Sequence, residues 1–459
     1  MNARVTKGEN LMSQKIIIVG GVGGGATVAA QLRRMDKDSE ILLFDKCGYI
    51  SFANCGMPYH IGGTVEERDT LLYPTRKFSD KYDVHIHTNS EVISINRSKK
   101  TIQYMVDGTV NEESFDKLIL SPGASPIAPN VKGIDNSRTF TLRTIEDMDQ
   151  INAFIKQAKP TNTTIIGAGF IGLEMLENLH QLGLKCTIVD RSQQVIKNVD
   201  EDMAEVIENH LKEKGVDVIL NDGLEGFDHD GKTLILDSGK QIETDMTILA
   251  IGITPNTKLA TDASLELGTT GAIAVNEYMQ TTDPDIYALG DAVEVRDFLT
   301  GSPKRIALAW PAHRQAYIIS SHLFGNPVPY QGNLGSSILK IFDLTVAATG
   351  HNSNSLKDEG ILFKHTLLST YSHAAYYPGS KKIWIKVFFN GDSGLLYGAN
   401  VIGYEGVDKR MAVLATAIKG KLTVTDLPEL ELGYSPVYSS SKDPINVVGY
   451  KAQDELNNK

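Results

Sequence analysis

Apolar positions along the chain gather into short runs of four or five residues that stop at glycine. Each such run is followed by a longer stretch with helical spacing. The first is Lys15–Val19 (KIIIV), then Gly20-Gly21-Val22-Gly23-Gly24-Gly25, a helical stretch over 26–34, and a second run at 41–45 (ILLFD). The same grammar returns at 163–166 (TTII), Gly167-Ala168-Gly169-Phe170-Ile171-Gly172, a helix through Leu182, and 185–190 (KCTIVD). Strand, glycine turn, helix, strand and terminal acid make a βαβ unit of the dinucleotide-binding type. There, glycines let backbone approach a pyrophosphate at a helix N-terminus. Two complete units, each with its acid about 20 positions on, weigh far more than one.

The copies are unequal. Gly167, Gly169 and Gly172 fit G-x-G-x-x-G, whereas the matching positions of the first copy are Gly20, Val22 and Gly25, without the middle glycine. Residues 118–123 (LILSPG) and 247–252 (TILAIG, followed by Thr254-Pro255-Asn256) read as strands leaving the first and second units. Residues 281–292 (TTDPDIYALGDA) read as a turn, a short strand and an aspartate before a helix at 310–321. From about Gly335 the pattern changes to alternating strands, such as 383–389 (IWIKVFF), and a helix at 408–419, which predicts an α+β C-terminal part.

Composition narrows the classes. At about 150 residues per domain, 459 residues suggest three domains. A net charge of −11 offers no basic face, so no nucleic-acid partner is expected. Three cysteines exclude a disulfide-stapled secreted scaffold and point to a reducing, cytoplasmic setting. The N-terminal apolar run is cut by glycine too early for a signal peptide, and no segment is long enough to span a bilayer, so a soluble protein is expected. Met12 is an alternative start, and residues 1–11 are patternless. No metal-ligand pattern is read.

Two nucleotide folds, the second inserted in the first, with the Ala-Leu-Gly-Asp segment and the α+β tail, resemble the pyridine nucleotide–disulfide oxidoreductase superfamily over about residues 14–450. Residues 51–59 (SFANCGMPY) resemble its single-cysteine branch, which includes coenzyme A disulfide reductases, NADH oxidases, NADH peroxidases and NAD(P)H sulfur or polysulfide reductases. The resemblance is greatest to the coenzyme A disulfide reductases. It implies an α/β fold with two Rossmann-like dinucleotide-binding domains and an α+β C-terminal dimerisation domain. Their expected bounds are 12–142 with 254–330 for FAD, 143–253 for NAD(P)H, and 331–459 for dimerisation. By the same resemblance FAD meets Gly20, Gly24, Gly25, Asp45, Lys46, Gly123 and Asp291. NADH or NADPH meets Gly167, Gly169, Gly172, Glu174 and Asp190. Asp190 favours NADH by accepting the ribose hydroxyls, and Arg191 softens that choice. Glu174 would lie near the nicotinamide; otherwise it is a helix N-terminal carboxylate favoured by the dipole.

Cys55 is the residue whose chemistry decides between branches. Five positions on, where a partner cysteine would allow an internal disulfide, stands His60. A redox-active Cys55 therefore cycles as a sulfenic acid or as a mixed disulfide with a small thiol. The plain alternative is a buried small hydrophobe, the role expected of Cys186 and, in the main, of Cys47. The oxidases and peroxidases of the branch carry a histidine in the first glycine loop, where this chain has Gly23. No histidine follows His373, so a C-terminal His–Glu acid is missing as well.

The chain offers tyrosine and lysine instead. Residues 371–380 (YSHAAYYPGS) and 432–450 (LGYSPVYSSSKDPINVVGY) resemble segments from which partner-subunit tyrosines reach the cysteine. Tyr434 fits one, and Tyr376 or Tyr377 the other; interface packing is the plain alternative. Coenzyme A contacts carry over to Thr27, Gln31, Arg34, Ser51, Asn54, His313 and Lys442. The implied protein is a homodimer with active sites shared across its interface. It would reduce coenzyme A disulfide through a mixed disulfide of coenzyme A on Cys55. A coenzyme A persulfide or polysulfide reductase is the nearest alternative, less favoured because the rhodanese domain common to such proteins is not among these 459 residues. NADH oxidase comes third, and a non-catalytic flavoprotein redox sensor is the reading from another class.

Overall fold

A computed structural model describes residues 13–458. Met12 and the residues before it lie outside the described part. The chain folds into two compact units. Of the described residues, one unit holds those up to Met57, Val65–Ser125 and Ile253–Asn333; the other holds Pro58–Thr64, Pro126–Gly252 and those from Leu334 onward.

The first unit is built on a parallel sheet in the order Ile286–Ala288, Lys117–Leu120, Lys15–Val19, Glu40–Phe44, His85–His87. Side chains alternate across it because strand residues point to opposite faces in turn. Ile16, Ile18, Ile41 and Leu43 meet Val28, Leu32, Ile318 and Ile319 of the helices Gly23–Met35 and Ala309–Leu323. Ile17, Val19, Leu42 and Phe44 face Val92 and Ile102 of a three-stranded antiparallel sheet on the other side. Apolar burial on both faces explains the unbroken apolar runs in the sequence. It also makes any one truncation there cost about 2–5 kcal/mol.

The second unit repeats the plan. Its parallel sheet runs Asp217–Ile219, Lys185–Val189, Asn162–Ile166, Met246–Leu249, Thr139–Phe140. A five-stranded antiparallel sheet follows in the order Ser337–Ile341, Leu344–Gly350, Leu396–Gly403, Lys382–Phe389, Lys364–Tyr371. The helices Val407–Lys419 and Pro444–Asn457 pack on that sheet. Among the described residues no helix is long and apolar enough to cross a membrane.

Candidate active site

The two glycine loops are wired alike, bond for bond. Gly20 N–H donates to Phe44 O and Gly167 N–H to Val189 O, each at 2.8 Å. Asp45 accepts from Gly21 N–H (2.7 Å) and Cys47 N–H (2.8 Å), while Asp190 accepts from Ala168 N–H and Ser192 N–H, both at 2.7 Å. Each acid thus ties its own strand end to its own glycine loop. Close approach dictates the last glycine of each motif: a Cβ on Gly25 would lie 1.7 Å from Gly20 O, and one on Gly172 only 1.9 Å from Gly167 O. Val22, at the helix N-cap, takes the place that Gly169 takes in the second loop, and the wiring survives the exchange. The missing middle glycine therefore leaves the first loop intact.

Both loops suit a dinucleotide phosphate. A Cβ on Gly23 or on Gly169 would meet nothing within 4 Å, so space lies open beside the backbone there. The helices Gly23–Met35 and Phe170–Gln181 have no side-chain cap and no acid in the first turn. By contrast, the helices starting at Ile145, Ser353 and Pro444 each carry a capping box. Uncapped N-terminal amides with the positive end of the helix dipole are a ready anion site. Around the first loop, Asn256 holds the 122–123 turn through Nδ2 to Pro122 O (2.8 Å) and N–H to Gly123 O (2.9 Å). Asp291 is half-buried in the turn Gly290–Ala292, whose Gly290 N–H donates to buried Gln315 at 2.8 Å. Lys46 is exposed beside Asp45.

Cys55 sits in the 3-10 turn Asn54–Gly56 and is exposed. The turn is anchored by Ala53 N–H to Leu71 O (2.9 Å) and by Ser51 N–H to Gly21 O (2.8 Å), which joins the cysteine segment to the first glycine loop. Ser51 takes the left-handed conformation at φ 48°, a cost of the kind seen where a segment must be aimed. No disulfide joins the three cysteines. Cys186 is buried, and burial pushes its thiol up to about 12, which makes it inert. Cys47 is half-buried.

Thr27, Gln31 and Arg34 line one stripe of the Gly23–Met35 helix, as spacing of three and four dictates. Thr27 Oγ1 donates to Gly23 O (2.7 Å) and lies 2.7 Å from His313 Nδ1. With its one proton committed to Gly23, Thr27 accepts from His313 Nδ1–H. Arg34 donates to Gln31 Oε1 (3.2 Å) and to the Tyr82 hydroxyl (3.3 Å). Sequence reasoning missed Tyr82 and its neighbours. Lys81 lies 5.0 Å from the Tyr82 ring centre and Lys77 5.7 Å from that of Tyr73, and the two lysines line an open groove with Pro74, Arg76 and Asp80. A helix reading TRKFSDKY carried that charge visibly, but nothing in its pattern said what it flanked.

In the second unit the hydroxyls of Tyr376 and Tyr434 meet at 3.3 Å. Both rings are exposed, at 75% and 50%. The bond to Tyr434 raises the Tyr376 hydroxyl above its ordinary pKa of 10.0. Tyr377 instead sets its ring edge-on to His373 at 5.8 Å. Lys442 is exposed and lies 5.4 Å from the Tyr450 ring centre. Glu174 lines a groove with Tyr59, Lys340 and Tyr404. Burial first, and then the Glu177 charge, push its carboxyl up to about 7. A helix dipole acting at Glu174 would lower that value; burial wins.

The family profile for pyridine nucleotide-disulphide oxidoreductases matches residues 14–316, and the dimerisation domain of the same family matches residues 336–443. The chain belongs to the pyridine nucleotide-disulphide oxidoreductase family. It is thus an FAD-dependent pyridine-nucleotide oxidoreductase with two dinucleotide-binding domains and a C-terminal dimerisation domain. Within this family it is 40% identical over 443 residues to coenzyme A disulfide reductase of Staphylococcus aureus, covering 96% of this chain and 100% of the relative. The reduced Bacillus anthracis CoADR-RHD structure matches with TM-score 0.96 and 47% identity, over 98% of this chain and 82% of that one. A NAD-dependent persulfide reductase from A. fulgidus matches with TM-score 0.94 and 32% identity, over 96% and 83% of the two chains.

Proposed function

We propose that this family member is a coenzyme A disulfide reductase, working as a homodimer whose sites are shared between subunits. The observation that carries the reading is an exposed Cys55 outside any disulfide, in a turn bonded to the first glycine loop, with His60 where a second cysteine would stand. The 40% identity to curated coenzyme A disulfide reductases over their whole length supports the substrate. FAD is assigned to 12–142 with 254–330, NADH or NADPH to 143–253, and the dimer contact to 331–459.

FAD, when bound, would take hydride from NAD(P)H and deliver two electrons to a disulfide at Cys55. The residues of the chain do the rest. Ser51, Asn54 and the Asn54–Gly56 turn hold Cys55 so that its thiolate attacks one sulfur of coenzyme A disulfide. The sulfur–sulfur bond breaks, one coenzyme A thiolate leaves, and a Cys55–coenzyme A disulfide forms. Two electrons and a proton then free the second coenzyme A and restore the Cys55 thiolate. A proton is needed at each departing thiolate, and the Tyr376–Tyr434 pair, reaching in from the partner, supplies a hydroxyl donor. Of the two candidates, Tyr376 is favoured by its bond to Tyr434, and Tyr377 by nothing comparable. Thr27, Gln31, Arg34, His313 and the Lys77–Lys81 groove suit the anionic end of coenzyme A, with Lys442 added from the other subunit.

Intact-mass measurement tests this. Protein isolated without reductant should carry a coenzyme A adduct that thiol treatment removes and that Cys55→Ser lacks. A protein bearing only an added oxygen at Cys55, with fast NADH-driven consumption of O₂ or peroxide, would instead be an oxidase or peroxidase. Coenzyme A persulfide turning over faster than the disulfide would favour the persulfide reductase reading.

A further inference from the structure

Residues 372–380 and 431–443, which carry Tyr376 and Tyr434, contain no helix or strand. Exposed rings on irregular backbone need something else to fix them. Behind them lies Arg410 of the Val407–Lys419 helix, only 1% exposed. Its Nε and Nη2 donate to the two oxygens of Asp443 at 3.0 and 2.9 Å. Nη2 also donates to Ser372 O (2.8 Å), and Nη1 to Gly406 O (3.1 Å). Asp443 accepts in addition from Ser439 Oγ (2.7 Å) and Ile445 N–H (2.9 Å). A direct stitch, Ala374 N–H to Ser439 O at 3.2 Å, joins the two segments. Burial pushes the Asp443 carboxyl up, but the Arg410 bonds and charge, with Ile445 N–H and Ser439, more than reverse this and hold it below its ordinary value.

A buried arginine–carboxylate pair is seldom kept for stability alone, since apolar side chains of like volume serve as well or better. Capping the last helix does not require it either, because an uncharged Ser or Asn caps as well as Asp. What the guanidinium does that no apolar group can is reach both tyrosine segments at once, at Ser372 and, through Asp443, at Ser439. We propose that Arg410 and Asp443 are positioning residues that set Tyr376 against Tyr434 for proton delivery. This rests on the tyrosine role proposed above.

The test uses the FAD-loaded dimer and two readouts, flavin reduction by NADH and turnover of coenzyme A disulfide. Arg410→Lys keeps the charge and loses the planar fork. It should lower kcat for coenzyme A disulfide about tenfold while leaving the rate of flavin reduction and KM for NADH unchanged. In a Tyr376→Phe/Tyr434→Phe background the same change should cost less than about twofold, because no hydroxyl pair remains to be placed. Ser439→Ala, which removes one hydroxyl from Asp443, makes the same comparison if Arg410→Lys fails to fold, with an expected loss of roughly threefold. Losses that multiply in full on an impaired tyrosine background overturn the positioning role alone. Tyrosine variants with unaltered kcat overturn the tyrosine role and, with it, this inference.

Discussion

The second glycine loop separates what a residue does for the fold from what it does for the ligand, and a pair of substitutions exposes the difference. Gly169 has φ −86° and ψ −170°, backbone that any residue adopts, and a Cβ there meets nothing within 4 Å. Gly169→Val should therefore leave folding stability within about 0.5 kcal/mol of the parent. The space it fills is the space proposed for the pyrophosphate. Loss of one or two backbone bonds to a charged group, about 1.5–3 kcal/mol each, should raise KM for NADH roughly 10- to 150-fold or more. Gly172→Ala is the converse. Its Cβ would lie 1.9 Å from Gly167 O, so backbone must shift, at a cost of about 1–3 kcal/mol in stability. Stopped-flow flavin reduction against NADH concentration reads the first effect, and the urea midpoint reads the second. FAD content, measured by absorbance, should be normal in both. Gly169→Val with a midpoint as low as that of Gly172→Ala, or with unaltered KM, would refute the assignment of that open space.

Two more outcomes follow from the site. Glu174 has a raised folded pKa, so its contribution to stability is complete below its ordinary 4.5 and lost as pH rises through about 7. Glu174→Gln should accordingly gain on the parent by roughly 1–3 kcal/mol between pH 5 and pH 8.5, and a difference in urea-derived stability that stays flat with pH would count against the burial argument. Mixing Cys55→Ser with Tyr434→Phe subunits should restore turnover if sites are shared, since each heterodimer then holds one intact and one doubly altered site. No recovery after confirmed subunit exchange would place each site within one chain.

Much of this architecture is legible in the order of residues. Apolar runs ending in glycine locate both parallel sheets because strands covered on both faces leave no polar register to obscure them. The strands Glu91–Asn96, Thr101–Val106 and Thr109–Ser114 are not legible in the same way, since the last is exposed at nearly every position and reads as polar chain. The Pro444–Asn457 helix is absent from the sequence reading although Asp443 followed by Pro444 is a standard start signal. The choice between Tyr376 and Tyr377 depends on which ring turns toward Tyr434, a matter of tertiary contact that adjacent identical residues cannot reveal. Arg410 is the extreme case. On a helix of mixed composition an arginine reads as solvated, and only the packed structure shows it enclosed.

The matched bonding of Asp45 and Asp190 bears on how such chains are interpreted at all. An acid at the end of the second strand is commonly taken as a reader of the ribose, and so as a sign of which coenzyme is used. In this protein both carboxylates already have employment: each accepts two main-chain amides and pins a turn that would otherwise leave those donors without a protein acceptor. A chain would keep them to close its turns even if it bound no coenzyme. Asp190 on its own therefore says little about NADH against NADPH. A probe of that choice is better aimed at Arg191, which has no such duty.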